Sequence, residues 1–300
     1  MTGILNLLLA SYAQVLPTQK AIFAYGTVNV SNIVSSAGVV ATDVTGVGVS
    51  KGYSGGCSYG GDKGIFGYGN QGTSYINLVS NAGVVASDTT APGSAREGSA
   101  AASYGRTKGI FAYGMMTGSV NTAVSNLISD TGVVATDTAG VGTARSYLSA
   151  VGYGGDKGIF AYGLITGANR LNISNLVSNT GVVATDTAGV GTARAGLGAC
   201  SYGGDKAIFG FGGTASANTQ TGNLVSNTGV VATDTTLAGT SRRDLAAAGY
   251  GGDKGIFGFG YISSPTAITN LVSNTGTVAS DTAGVGSARY GLSCAGFSYT

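Results

Sequence analysis

The 300-residue chain has no histidine and no tryptophan, only three prolines and three cysteines, and just 15 basic and 13 acidic side chains. Without histidine there is no ordinary nucleophile and base pair and no imidazole ligand, which removes Ser-His, Cys-His and most zinc chemistry. Hydrolysis by a carboxylate pair needs two differently tuned acids, whereas the aspartates of this chain recur in equivalent settings. No catalytic residue, metal or cofactor is therefore expected. A net charge of +2 is too small to suggest nucleic acid. Charged residues make up 9% of the chain, against about a quarter in ordinary soluble domains, so Thr, Ser, Asn and backbone must wet the surface. The apolar stretch from Ile4 to Ala10 is too short to cross a bilayer, and the basic start of a secretory signal is missing. Membrane insertion is not expected, and segment 1–19 reads as a docking arm or an extra strand. Glycine is plentiful, at 54 residues, yet it follows no Gly-X-Y period and never leads into Gly-Lys-Ser/Thr, so neither collagen nor a phosphate loop is indicated.

What the chain has in abundance is repetition. The segment Lys63-Gly-Ile-Phe-Gly-Tyr-Gly69 recurs from Lys20, Lys108, Lys157, Lys206 and Lys254. In each copy an Asn stands eleven residues before an Asp: Asn32 and Asp43, Asn77 and Asp88, Asn126 and Asp137, Asn175 and Asp186, Asn223 and Asp234, Asn270 and Asp281. Eight residues after each Asp comes a basic side chain, at Lys51, Arg96, Arg145, Arg194, Arg242 and Arg289. Eight more lead to an aromatic residue at Tyr59, Tyr104, Tyr153, Tyr202, Tyr250 and Phe297. The single elastic interval, between the Gly that closes the Lys segment and the next Asn, runs from 6 residues in the first copy to 12 in the third and fourth. Every insertion thus falls in one connection.

A period in the forties without a helical pattern belongs to propellers or solenoids of small β units. Short alternating or β-rich runs, punctuated by Gly, Asn, Asp and Thr, read as strands. In the fourth copy the expected strands are 146–153, 157–162, 176–178 and 182–186, with Gly154-Gly155-Asp156 as a tight turn. The expected fold is therefore all-β: a six-bladed β-propeller of four-stranded antiparallel blades over 20–300, with repeats starting near 20, 63, 108, 157, 206 and 254. The first copy lacks a clear first strand, while residues 290–299 look like a first strand with nothing after it. The C-terminal strand is expected to close the ring and so remove the free edges, with Leu7 to Tyr12 as a competing donor.

The segment Ala207-Ile-Phe-Gly-Phe-Gly-Gly213, with an Arg ahead of a strand of small residues, resembles the kelch-type β-propeller. The late Trp of kelch units is absent, and Val-Val-Ala-Thr-Asp fills that region. The wording Ser-Asn-Thr-Gly-Val-Val-Ala-Thr-Asp-Thr-Ala-Gly-Val-Gly-Thr-Ala-Arg194 is also similar to repeats in structural proteins of tailed bacteriophages. That second resemblance implies a virion protein with other virion proteins as partners.

Most charges obey the repeat. Asp43, Asp88, Asp137, Asp186, Asp234 and Asp281, with the six basic residues that follow them, are expected to tie blades together by charge-assisted hydrogen bonds, while Asp-Lys pairs pin the tight turns. A sharper reading is six equivalent pockets for an acidic or sugar ligand. Glu97, Arg106, Asp130, Arg170, Arg243 and Asp244 lie off the pattern. Cys57, Cys200 and Cys294 fall at similar places in separate copies, too far apart to pair, and read as small buried thiols. The elastic connection is where recognition is expected, with Met115, Met116, Arg170 and Tyr261 as candidate partner-binding residues. Two functions follow as expectations. One is a noncatalytic structural or adhesion component of a phage particle, such as a tail fibre, tail tip or head-surface protein, meeting virion partners, a host glycan or receptor, or further copies of itself, with segment 1–19 as an attachment point. The other is a lectin-like propeller with repeated saccharide sites.

Overall fold

The computed structural model describes residues 18–70 and 74–299, and among them every regular element is a β-strand. The strands form six small antiparallel sheets of three or four strands. Segment 1–17, with most of the expected arm and the competing closing strand, lies outside the described residues. In each sheet a first strand of small residues pairs with a second strand starting at the repeat's Lys, which pairs with a third strand holding the repeat's Asn. In the fourth copy these are Ser149–Tyr153, Lys157–Ala161 and Ser174–Val177. The sheet begun at Lys20–Ala24 receives its first strand from the other end of the chain, Ser293–Phe297, with Ile22 opposite Ala295.

The sequence reading needs correcting at the outer edge. Residues 182–186 form no strand. Only in three sheets does a fourth strand exist, two residues long and just after the repeat's Asp: Val44–Thr45, Thr89–Thr90 and Thr235–Thr236. A side chain interrupts and supplements the backbone ladder there. Asn175 Nδ2 donates to the carbonyl of Ala184 at 3.0 Å and to Asp186 Oδ1 at 2.9 Å, and Asn32, Asn77, Asn126, Asn223 and Asn270 make the same pair of bonds. Together with isolated bridges such as Val177 to Val183, these bonds pin the segment without a continuous ladder.

The second strand also ends one residue early. Tyr162 has φ of 66°, and its equivalents Tyr25, Tyr68, Tyr113, Phe211 and Phe259 are likewise left-handed. Such backbone costs a non-glycine residue about 1–2 kcal/mol, and the packing offsets it. Each of these rings is buried and meets the second-strand Phe of the next sheet edge-on, as in Tyr162 with Phe209 at 5.4 Å and Phe259 with Phe23 at 5.2 Å. Pairs of this geometry add about 0.5–1.5 kcal/mol beyond burial.

Neighbouring sheets are joined in cyclic order. The first strands contact one another from Gly55–Tyr59 through Ala100–Tyr104, Ser149–Tyr153, Gly198–Tyr202 and Ala246–Tyr250 to Ser293–Phe297, which touches Gly55–Tyr59 again. All six line one narrow cavity of about 100 Å³, which explains why they are built of Gly, Ala, Ser and Cys. At the outside, Tyr104 packs on Gly181 of the next sheet, where a Cβ would stand 2.8 Å from the ring and φ is 87°. Glycine is thus required there twice over, by backbone and by space.

Two circuits of backbone hydrogen bonds cap the two ends of this arrangement. At one end Gly98 N donates to Tyr53, Tyr147 to Gly98, Gly196 to Tyr147, Asp244 to Gly196, Gly291 to Asp244 and Tyr53 to Gly291, at 2.6–2.9 Å, so the circuit returns to its starting residue. All six have φ between 53° and 66°. At the other end the tight turns are linked in the same manner, as by Gly154 N to the carbonyl of Asp205 at 2.7 Å.

Candidate functional site

The repeated charges form buried latches between sheets. Arg194 leads from the fourth copy to the fifth, and its side chain is fully buried. Its guanidinium lies 4.2 Å from the centre of the Tyr162 ring. From there Nε donates to the carbonyl of Phe211 at 2.9 Å, Nη2 to Asn223 Oδ1 at 2.6 Å and Nη1 to the carbonyl of Thr192 at 3.2 Å. The left-handed backbone at Phe211 turns that carbonyl toward the guanidinium. Asp234, already holding Asn223, accepts from Thr192 Oγ1 at 2.6 Å. Arg145, Arg242 and Arg289 repeat these bonds, and Arg96 repeats all but the Nε bond. Lys51 substitutes in the remaining copy, with Nζ 2.6 Å from Asp88 Oδ1.

Asp and Arg thus meet mainly through Asn. The nearest Arg-to-Asp approach of this kind, Arg96 to Asp137, is 3.9 Å. Although burial alone would raise the carboxyls of Asp137, Asp186, Asp234 and Asp281, hydrogen bonds and the neighbouring guanidinium hold them below the ordinary carboxylate range. The guanidinium bonds of Arg145, Arg194, Arg242 and Arg289 are thus directed to groups inside the protein. In the tight turns Lys63, Lys157, Lys206 and Lys254 pair with the preceding Asp at 2.8–3.0 Å. Among the described residues no group of three metal-ligating side chains is close enough to hold an ion.

A different set of residues gathers at the end capped by Tyr53, Tyr147 and Asp244. The Tyr53 and Tyr147 rings meet edge-on at 5.0 Å, and Tyr290 lies 6.4 Å from Tyr53 and 5.2 Å from Tyr261. Arg243 lies 4.8 Å from the centre of the Tyr261 ring and 3.2 Å from the Asp244 carboxylate. Tyr147 Oη donates to Glu97 at 3.1 Å. Burial, opposed by Arg243 and Arg170, pushes the Asp244 carboxyl up to about 6. The cavity between Tyr53, Tyr147 and Asp244 holds about 70 Å³, well under the roughly 300–1,000 Å³ of small-molecule pockets.

Of the four candidates read from the sequence, Tyr261 belongs to this cluster and Arg170 reaches Asp244 through its charge. Met115 pairs by backbone with Glu97, at 2.8 and 2.9 Å. Met116 ends the long second strand Lys108–Met116, so residues 115 and 116 belong to a hairpin with Val120–Ile128 and not to a loop. Pro265–Val272 extends the last sheet in the same way. All four side chains are half-buried, where exposure was expected. Tyr53, Tyr147, Tyr290, Glu97, Arg243 and Asp244 were missed as a group. The signal was present one and two residues after each repeated basic residue, where Gly52-Tyr53, Glu97-Gly98, Ser146-Tyr147, Ala195-Gly196, Arg243-Asp244 and Tyr290-Gly291 differ in an otherwise uniform repeat.

Comparison with known proteins finds no family that matches this chain, and none of the curated proteins matches it.

Proposed function

We propose that the six sheets are the blades of a closed six-bladed β-propeller, completed by the C-terminal strand, and that the chain is a noncatalytic structural and adhesion module of a phage particle. One observation carries the choice of mode. The repeated arginines are buried, while the unrepeated Tyr53, Tyr147, Tyr261, Tyr290, Glu97, Arg243 and Asp244 share one end of the axis. That favours one asymmetric contact per chain over several equal saccharide sites. The elastic connections border the same end, because Met115, Leu164, Gly213 and Tyr261 bridge to Glu97, Ser146, Ala195 and Arg243. Tyr and Arg side chains are the residues that dominate protein interfaces, and the small cavity suits a surface contact better than an enclosed ligand. The virion setting rests on the wording of the repeat.

Cryo-electron microscopy of the phage particle that carries the chain tests this reading. The expected result is a contact made by the tyrosine end. A chain found only free in solution, or docked with that end facing solvent, contradicts it.

A further inference from the structure

The opposite end of the axis carries a feature that the tyrosine end does not explain. Its mouth holds a cavity of about 410 Å³, a size that takes a small molecule. Four of the five tight turns there have glycine at this position, Gly61, Gly155, Gly204 and Gly252, with φ of 77–84°, and the first three line the mouth. The third copy has Arg106 instead, at φ of 69°. A bulky side chain is strained in that backbone, and nothing in the fold calls for it. Arg106 is exposed and lines the mouth, where its charge helps to hold the Asp156 carboxyl below the ordinary carboxylate range. The same turn has Thr107 in place of the usual Asp, so the internal partner that neutralises the other turns is missing.

The rest of the wall is polar and nearly neutral. Asp156 and Asp205 are held by Lys157 at 3.0 Å and Lys206 at 2.8 Å, and also by Asn179 and Asn227. Ser58, Ser103 and Ser201 add hydroxyls. Those of Ser58 and Ser103 donate to the carbonyls of Gly296 and Ser58, which leaves their lone pairs free to accept. At Gly155 and Gly204 the space beside the backbone is open.

From this geometry we propose that the turn end binds a small hydroxylated anion of the sugar-acid class, with the Arg106 guanidinium on its carboxylate and the serine hydroxyls on its hydroxyl groups. Guanidinium and carboxylate form a two-point, charge-assisted contact, and Arg106 is the one guanidinium among the described residues that lines the mouth.

Calorimetric titration of the full chain with glucuronate, glucose and inorganic sulfate tests the proposal, using Arg106→Gly as the variant. Glycine already occupies this backbone in four copies, so the variant is expected to fold and to melt no lower than the parent. The proposal expects saturable glucuronate binding, one per chain, weakened at least about tenfold by Arg106→Gly, with glucose and sulfate both weaker. Failure of glucuronate to saturate, equal binding by the variant, or glucose binding as tightly each overturns it. Sulfate binding as tightly as glucuronate overturns the role of the hydroxyls.

Discussion

Arg289 donates from Nη2 to Asn32 Oδ1 at 2.7 Å, across 257 positions of sequence. The same guanidinium lies 4.0 Å from the Phe259 ring and donates from Nε to the carbonyl of Tyr25 at 3.0 Å. This latch makes the same bonds as those of Arg145, Arg194 and Arg242 between other neighbouring sheets, although here it joins the last copy to the first. A second bond supports it, from Ser287 Oγ to Asp43 at 2.6 Å.

Truncating a latch is expected to be severe because it strands a buried partner. Arg194→Ala removes three hydrogen bonds and a ring contact and leaves Asn223 Oδ1 unsatisfied. The expected loss is about 3–5 kcal/mol, read from the urea midpoint. Arg194→Lys should cost less, since Lys51 holds the same place beside Tyr25 and Asn77. Equal losses for the two variants would contradict the assigned geometry.

Much of this latch was legible in the sequence, and part of it was not. The fixed spacings from Asn175 to Asp186 and from Asp186 to Arg194 announce one rigid unit, and the small residues of 149–153 announce a crowded axis. The left-handed Tyr162 was invisible, because an aromatic residue after Ile-Phe-Ala reads as continued strand. Residues 182–186 misled for a related reason. Val182-Val183-Ala184 has β propensity, but Val182 is 65% exposed and the ladder shrinks to the Val177–Val183 bridge beside an asparagine side chain, which no propensity encodes. The tyrosine end was hidden by the strength of the repeat itself, which drew attention to what is constant.

Asp244 should give the protein an unusual response to mild acid. Its folded carboxyl, at about 6, lies above the ordinary unfolded value of about 3.9. A raised carboxyl favours the folded state on protonation, so stability should rise as pH falls from 7 to 5, by roughly 1 kcal/mol. No histidine titrates in that window. Asp244→Gly keeps the backbone circuit, since Gly98, Gly196 and Gly291 occupy equivalent positions, and should abolish the slope. Urea melts at both pH values check this. A flat profile in the parent, or an unchanged slope in the variant, would refute the assignment.

The three thiols should be silent in the folded protein. Cys57, Cys200 and Cys294 are free and buried, and burial pushes the Cys57 thiol up to about 12 and the other two upward as well. Only the thiolate reacts. A chromogenic disulfide reagent at pH 8 should therefore label none of the three until denaturant unfolds the chain, and then label all of them. Rapid labelling of any one under native conditions would contradict the packing of the first strands.

The proposed closure depends most on the pairing of Ser293–Phe297 with Lys20–Ala24. Hydrogen exchange of amides 22 and 24, compared between the full chain and a chain ending at Arg289, tests it directly. The pairing predicts strong protection in the full chain and its loss on truncation, together with a lower melting temperature. Protection at 22 and 24 that survives removal of the C-terminal strand would contradict closure by that strand.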